Sequence, residues 1–196
     1  MLICITNRKL CKENFLDRIE KLASGKPAAI MLREKDLSLT DYETLAIQVN
    51  EICKKKNVPL IINQNISVAA KLNIPAIQLS MTNLRANQRN LQPFEFIGAS
   101  VHSQEEALEA QQLGATYLIA GHIFATNSKK GVPPRGLPFL KEICDSVSVP
   151  VFAIGGITKE RKEMIVKARA SGVCIMSEAM TSPSPELLPM WWADFN

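Results

Sequence analysis

The sequence predicts a compact (β/α)8 barrel, on three observations. Eight short apolar runs of strand type recur along the chain. Most of them are apolar continuously rather than alternately, as in a parallel strand buried on both faces. A helix or a short helical turn follows each, and 196 residues over eight units is about 24 residues per unit, a pitch that suits a barrel. A doubly wound open sheet is the competing architecture, and it is weakened because no G-x-G-x-x-G follows the first strand. No low-complexity segment or composition shift divides the chain, so residues 1–196 read as one barrel domain.

The strand candidates in order are "LICIT" (2–6), "AAIML" (28–32), "PLIIN" (59–63), "AIQLS" (76–80), "FIGASV" (96–101), "TYLIAG" (116–121), "VPVFAIGG" (149–156) and "GVCIMS" (172–177). Between the second and third, "SLTDYETLAIQVNEICKKKN" repeats Leu45, Val49 and Ile52 at helical spacing. Ser38 or Thr40 is its N-cap, and lysines fill its last turn. After the fifth, "SQEEALEAQQLG" pairs Ser103 with Glu106 as a capping box, and Gly114 closes it. After the seventh, "TKERKEMIVKARASG" has the same form, with Thr158 as N-cap and Gly172 near its end.

Composition excludes several classes. The apolar fraction of 46% and charged fraction of 21% are those of a soluble protein with a real core. A net charge of +4 carries no nucleic-acid footprint but suits a small anionic ligand. Cys4, Cys11, Cys53, Cys144 and Cys174 are odd in number and widely spaced, and His102 and His122 are the only histidines. That argues against a zinc site and a disulfide framework and for a reduced, cytoplasmic protein. Cys4 and Cys174 lie inside apolar runs and read as small hydrophobes. The start "MLICITNRKL" does not read as a signal peptide, and no run of 18 apolar residues suggests a membrane span. The C-terminal "PMWWADF" packs either under the barrel or against a second copy in a homodimer, and both remain open.

In such a barrel, chemistry collects at the C-terminal strand ends. The second strand ends in "LREKD", where Arg33 and Lys35 share a face two residues apart and can hold an anion. The bland alternative is a solvated loop in which Glu34 and Asp36 balance them. Asn63 and Gln64 end the third strand and either hydrogen-bond a heterocycle or cap the next helix. Ser100 faces the mouth if Gly98 does, while His102 reads as a cap or packing residue. Gly155 and Gly156, with Met176 and Ser177, end the last two strands just before helix starts, where backbone N–H groups bind phosphate. Tight-turn chemistry is the alternative there. The sixth strand delivers His122 directly before "IFATNSKKG", a histidine followed by hydroxyls and ammonium groups that suit anionic acid/base chemistry.

The segments "MLREKDLS", "IIN", "GASVHSQEEALEAQQLGATYLIAGHIF", "VPVFAIGGIT" and "SGVCIMS" resemble, in order and over almost the whole chain, the thiamine phosphate synthase superfamily of (β/α)8 barrels. The synthase branch joins an aminopyrimidine diphosphate to a thiazole phosphate with magnesium. It carries Asn-Asp after strand three, "HLGQxD" after strand four and "GPIFPTxTKxG" after strand six. Here the strand-three aspartate is Gln64, the strand-four carboxylate is Asn83, the Gln of "QLREK" is Met31 and the proline of "GPIF" is His122. Arg33, Lys35, Asn63, Ser100, Thr126, Ser128 and Lys129 match the family's anion- and pyrimidine-contacting positions, and its phosphate site maps onto Gly155, Gly156, Met176 and Ser177.

"GHIFATNSKKG…RG" instead resembles the TenI-type branch, the thiazole tautomerases, whose strand-six histidine does acid/base work. That resemblance implies an isomerase of thiamine biosynthesis acting on a thiazole phosphate, with His122 as proton carrier and no cofactor or metal. The alternatives are a synthase with altered ligands and a non-catalytic, ligand-binding or regulatory protein on the same scaffold.

Overall fold

The structure, a computed structural model, describes residues 1–193. Eight parallel strands close in sequence order into a barrel: β1 (Leu2–Ile5), β2 (Ala29–Leu32), β3 (Leu60–Asn63), β4 (Ala76–Ser80), β5 (Phe96–Val101), β6 (Tyr117–Gly121), β7 (Val151–Ile154) and β8 (Gly172–Ile175). Pairing of β1 with β8, Ile3 opposite Cys174, completes the ring. The α-helices are α1 (Phe15–Ser24), α2 (Leu39–Lys56), α3 (Ile66–Lys71), α4 (Met81–Ala86), α5 (Gln104–Gln112), α6 (Gly136–Ser146), α7 (Lys162–Lys167), α8 (Ser177–Thr181) and α9 (Leu188–Trp191).

The continuous apolar runs have a direct physical reason. Alternate strand residues face opposite ways, and both directions are buried. Ile3, Ile5, Met31, Ile61, Tyr117, Ile119, Phe152 and Cys174 fill the barrel interior. Cys4, Ile30, Leu32, Ile62, Leu79 and Leu118 pack outward with Ile19, Leu22 and Val49 of the helices. Each such side chain contributes about 1.5–3 kcal/mol on burial. Cys4 and Cys174 are both buried, and burial pushes the Cys4 thiol up to about 12. They pack as the sequence suggests.

The caps sort the helix starts. Ser38, not Thr40, caps α2 by accepting from Asp41 N. Ser103 Oγ accepts from Glu106 N, and Glu106 Oε2 accepts from His102 N at 2.7 Å, a capping box that reaches one residue further back. The seventh unit differs from expectation. Thr158 makes no side-chain cap, a 3-10 turn (Lys159–Arg161) precedes α7, and Arg169 at φ 66° rather than Gly172 turns the chain out of the helix. Gly172 begins β8, where any side chain would strike Met1 O and the Phe152 ring.

Trp192 is buried in the layer outside the strands, and Lys159 lies 5.3 Å over the Trp191 ring. Asp194 and Phe195, the end of "PMWWADF", lie outside the described residues. Among the described residues no helix is long and apolar enough to cross a membrane.

Candidate active site

The C-terminal strand ends surround a cavity of about 820 Å³. Every candidate residue from the sequence lines it: Arg33 and Lys35 after β2, Asn63 of β3, Ser100 of β5, His122 after β6, Thr126, Ser128 and Lys129 of the following loop, Gly155 and Gly156 after β7, and Met176 and Ser177 after β8.

The exit of β2 shows what Glu34 and Asp36 of "LREKD" balance. Glu34 is buried and turns away from the mouth. Its Oε1 accepts from Thr6 Oγ1 at 2.7 Å, and its carboxylate accepts from the Arg8 backbone N and from Arg8 Nη1. Asp36 takes the Arg8 guanidinium in a two-pronged bond, 2.6 and 2.8 Å, with Lys9 Nζ at 2.9 Å. Those contacts hold the Asp36 carboxyl well below the usual carboxylate range. The two acids therefore serve Arg8 and Lys9 rather than their sequence neighbours. Among the described residues no carboxylate pairs with Arg33, Lys35 or Lys129. The Arg33 guanidinium, partial burial and Lys129 all push the Lys35 ammonium below its ordinary value. Crowded like charges of this kind favour an anionic ligand.

His122 sits where β6 meets its loop, and the Gly121–His122 peptide is cis. Its ring Nε2 lies 3.2 Å from Val132 O. A carbonyl only accepts, so Nε2 carries the hydrogen and Nδ1 of the neutral ring holds the lone pair. The base of the loop is pinned by Arg135 N to His122 O and Gly136 N to Ile123 O, both 3.0 Å. Within it, Thr126 Oγ1 accepts from Ser128 N and starts a turn at Asn127–Lys129. Gly155, at φ 97°, passes so close that any Cβ there would collide with His122 Cβ. Gly155 thus makes room for His122, and Gly156 makes room for Phe124 and Ala125 O of the same loop. Arg161 Nη1 donates to Gly156 O and stacks 4.4 Å over Phe124, bracing the β7 exit against the β6 loop. The N–H groups of Gly156 and Ser177 engage no described backbone carbonyl.

Asn63 and Gln64 do not cap α3, whose N-cap is Asn65. Gln64, at φ 68°, turns its side chain to α4 instead. Asn83 Nδ2 donates to Gln64 Oε1, which also accepts from Ser80 N at 3.3 Å. Magnesium prefers hard oxygen ligands, usually carboxylates. Here two neutral amides occupy the positions where the family resemblance puts carboxylates, and Gln64 Oε1 is already engaged by Asn83 Nδ2. Among the described residues no group of three His, Cys, Asp or Glu is placed to hold a metal. The donor set does not fit the magnesium of the synthase branch.

Other polar residues line the cavity without having been read as part of the site. His102 neither caps with its side chain nor packs: its half-exposed ring lies 3.4 Å from Glu106 Oε2 at the cavity rim. Glu178 lies beside Ser177, its carboxyl pushed up by burial and by Glu160. Ser80 caps α4 through Asn83 N. Gln78 is 1% exposed in the barrel interior. A glutamine inside the apolar run "AIQLS" is a buried polar group in need of a partner, and that signal was available.

The family described as thiamine monophosphate synthase matches residues 2–179 of the chain. A thiamine-phosphate synthase of Clostridium acetobutylicum is 34% identical over 184 residues, 92% of this chain and 87% of that protein. One of Methanobrevibacter smithii is 33% identical over 95% of this chain and 90% of its own. Among solved structures, thiamine phosphate pyrophosphorylase from Pyrococcus furiosus superposes with a TM-score of 0.81 at 28% identity, covering 97% of this chain and 94% of its own. At 14% identity and a TM-score of 0.68, 3-hexulose-6-phosphate synthase shares the fold alone.

Proposed function

The chain belongs to the thiamine monophosphate synthase family, and from that premise we propose that it is a thiazole tautomerase, aromatising a carboxylated thiazole phosphate. The observation that carries this reading is His122, a mouth histidine whose Nε2 is committed to Val132 O and whose Nδ1 is left as the base. Nδ1 removes the proton from ring C2, and the C–H electron pair enters the ring. The exocyclic double bond shifts inward, and the imidazolium returns a proton to the exocyclic carbon. One proton leaves and one returns, so the product is an isomer and no co-reactant is consumed.

The remaining residues bind and stabilise. Arg33, with Lys35 or Lys129, holds the carboxylate and offsets the charge spread through the dienolate-like intermediate. Gly155, Gly156, Met176 and Ser177 hold the phosphate, with N–H groups at the β7 and β8 exits. Asn63 and Ser100 hydrogen-bond the heterocycle, while Thr126, Ser128 and Lys129 close over it.

A second reading, thiamine-phosphate synthase, is favoured by the names of the relatives. Against it stand Gln64 and Asn83, two amides bonded to each other. Release of a diphosphate needs a cation to neutralise the developing charge, whereas the ring proton shift draws on His122 and the cationic side chains. The test is aromatisation of the tautomer, followed by proton NMR, with the parent protein and His122→Ala. Rapid conversion by the parent and loss in the variant support the proposal. Equal rates in the two would remove His122 from the mechanism. A parent that binds the thiazole phosphate without converting it would be a ligand-binding protein.

A further inference from the structure

Inside the barrel, below the mouth, three polar side chains follow one another: Tyr117 of β6, Gln78 of β4 and Ser100 of β5. Gln78 Nε2 donates to Ser100 Oγ at 3.0 Å and lies 3.4 Å from Leu79 O. Gln78 Oε1 and the Tyr117 hydroxyl are both buried without a hydrogen-bond partner. They face each other across Gly98, where a Cβ would collide with both. Tyr117 is held edge-on to Phe152, with centroids 5.9 Å apart.

The orientation of the amide follows from its surroundings. Leu79 O only accepts, so it must meet the NH2 end. A flipped amide would set its oxygen against the Leu79 carbonyl. A buried donor or acceptor left unpaired costs about 1–3 kcal/mol, so the NH2 end stays towards Leu79 and Ser100. Gln78 donates to Ser100. Ser100 Oγ then spends a lone pair on Nε2, and its own hydrogen remains for the cavity it lines.

We propose that Gln78 is a positioning residue that fixes the Ser100 hydroxyl as a hydrogen-bond donor into the mouth, so that the site selects a ligand presenting an acceptor there. On the tautomerase reading, on which the ligand's identity rests, that acceptor is a carboxylate oxygen or ring heteroatom of the thiazole. Gly98 belongs to the same device, because any Cβ there would collide with the amide and push Gln78 out of place.

The test is a double-mutant cycle read by calorimetry, with the aromatic carboxythiazole phosphate as probe. Gln78→Met keeps the length and removes the donor, and Ser100→Ala removes the hydroxyl. Each single variant is expected to weaken binding about tenfold, the worth of one hydrogen bond, and the double variant no more than Ser100→Ala alone. Gln78→Glu reverses the polarity, because a carboxylate accepts from Ser100, and it should weaken binding more than Gln78→Met. Independent losses that multiply to about 100-fold, or an affinity unchanged in Gln78→Met, would overturn the proposal. Should Gln78→Met unfold, Gln78→Glu carries the test, and its loss of affinity should vanish in the Ser100→Ala background.

A parent protein that does not bind the probe would sink the tautomerase reading and leave the polar series to a second measurement. The side-chain amide signals of Gln78 in a proton–nitrogen spectrum of the free protein should shift in Ser100→Ala. Signals unmoved there would overturn the Gln78–Ser100 contact itself.

Discussion

At the exit of β2, Arg8 takes up both carboxylates of "REKD" and leaves Arg33 and Lys35 without an anion. At the exits of β3 and β4, Gln64 Oε1 accepts from Asn83 and from Ser80 N, and the two amides offer no charge to a cation. Both stretches hold polar residues at strand ends, where function collects. Their difference lies in what neighbouring residues consume. A group is available to a ligand only to the extent that the protein has not already satisfied it. By that measure the β2 exit keeps its cations unpaired, while the β3 and β4 exits offer neutral amides already bonded together.

The largest expected effect falls on the group that turns the anion site into a catalyst. His122→Ala should lower aromatisation about 10²–10⁴-fold, the usual worth of a positioned proton carrier, while product affinity stays within about threefold on the same scale. A matching loss of affinity would make His122 part of the anion site instead. Next in size is the strut. Arg8→Ala leaves the buried Glu34 carboxylate without its guanidinium and should cost about 3 kcal/mol in denaturant unfolding. It also releases Glu34 and Asp36 towards Arg33 and Lys35, so product affinity should fall about tenfold, or about 1.4 kcal/mol. An unchanged affinity would mean that the acids do not compete for those cations.

The amide side can be converted. With both Gln64→Asp and Asn83→Asp in one chain, two carboxylates repel where two amides now bond. Magnesium should then raise the unfolding temperature of the variant by linkage and leave the parent's unchanged. A parent stabilised by magnesium would break the contrast.

The smallest effect is a pH dependence. The Lys35 pKa is lowered in the free site, and a bound anion favours its charged form. Product affinity is therefore full below that lowered value and falls as pH rises through it, before the ordinary lysine range near about 10.4 is reached. In Arg33→Ala the fall should move to higher pH. A fall that stays in place would assign the titration to another group.

Much of this was legible in the sequence because it depends on local pattern. The eight strands were readable from continuous apolar runs, since both faces of each strand are buried. Ser38 and Ser103 follow cap chemistry that acts within three residues. His122 and Arg33 stand out because their types at strand ends are unusual for plain loops, whereas the Gly155–Gly156 pair also suits a tight turn.

What failed to show is long-range. The partner of Glu34 is Arg8, 26 residues earlier, and no spacing rule connects them. The Gln64–Asn83 bond crosses between two strand exits and reads as two unrelated amides until the barrel closes. Gln78 was visible as a polar residue in an apolar run, but Tyr117 and Gly98, which give it a role, come from two other strands. Gly172 was misplaced because glycine after a helix reads as a cap, whereas here the Phe152 ring and Met1 backbone demand it.

The central claim is that the mouth works on an anion through His122 without a divalent cation. The purified protein is given the thiazole tautomer with a chelator in one vessel. In another it is given the aminopyrimidine diphosphate, the thiazole phosphate and magnesium. Catalytic aromatisation is expected in the first, unaffected by the chelator, and no pyrophosphate above background in the second. Robust, magnesium-dependent pyrophosphate release in the second vessel, with no aromatisation in the first, would contradict it and restore the synthase reading.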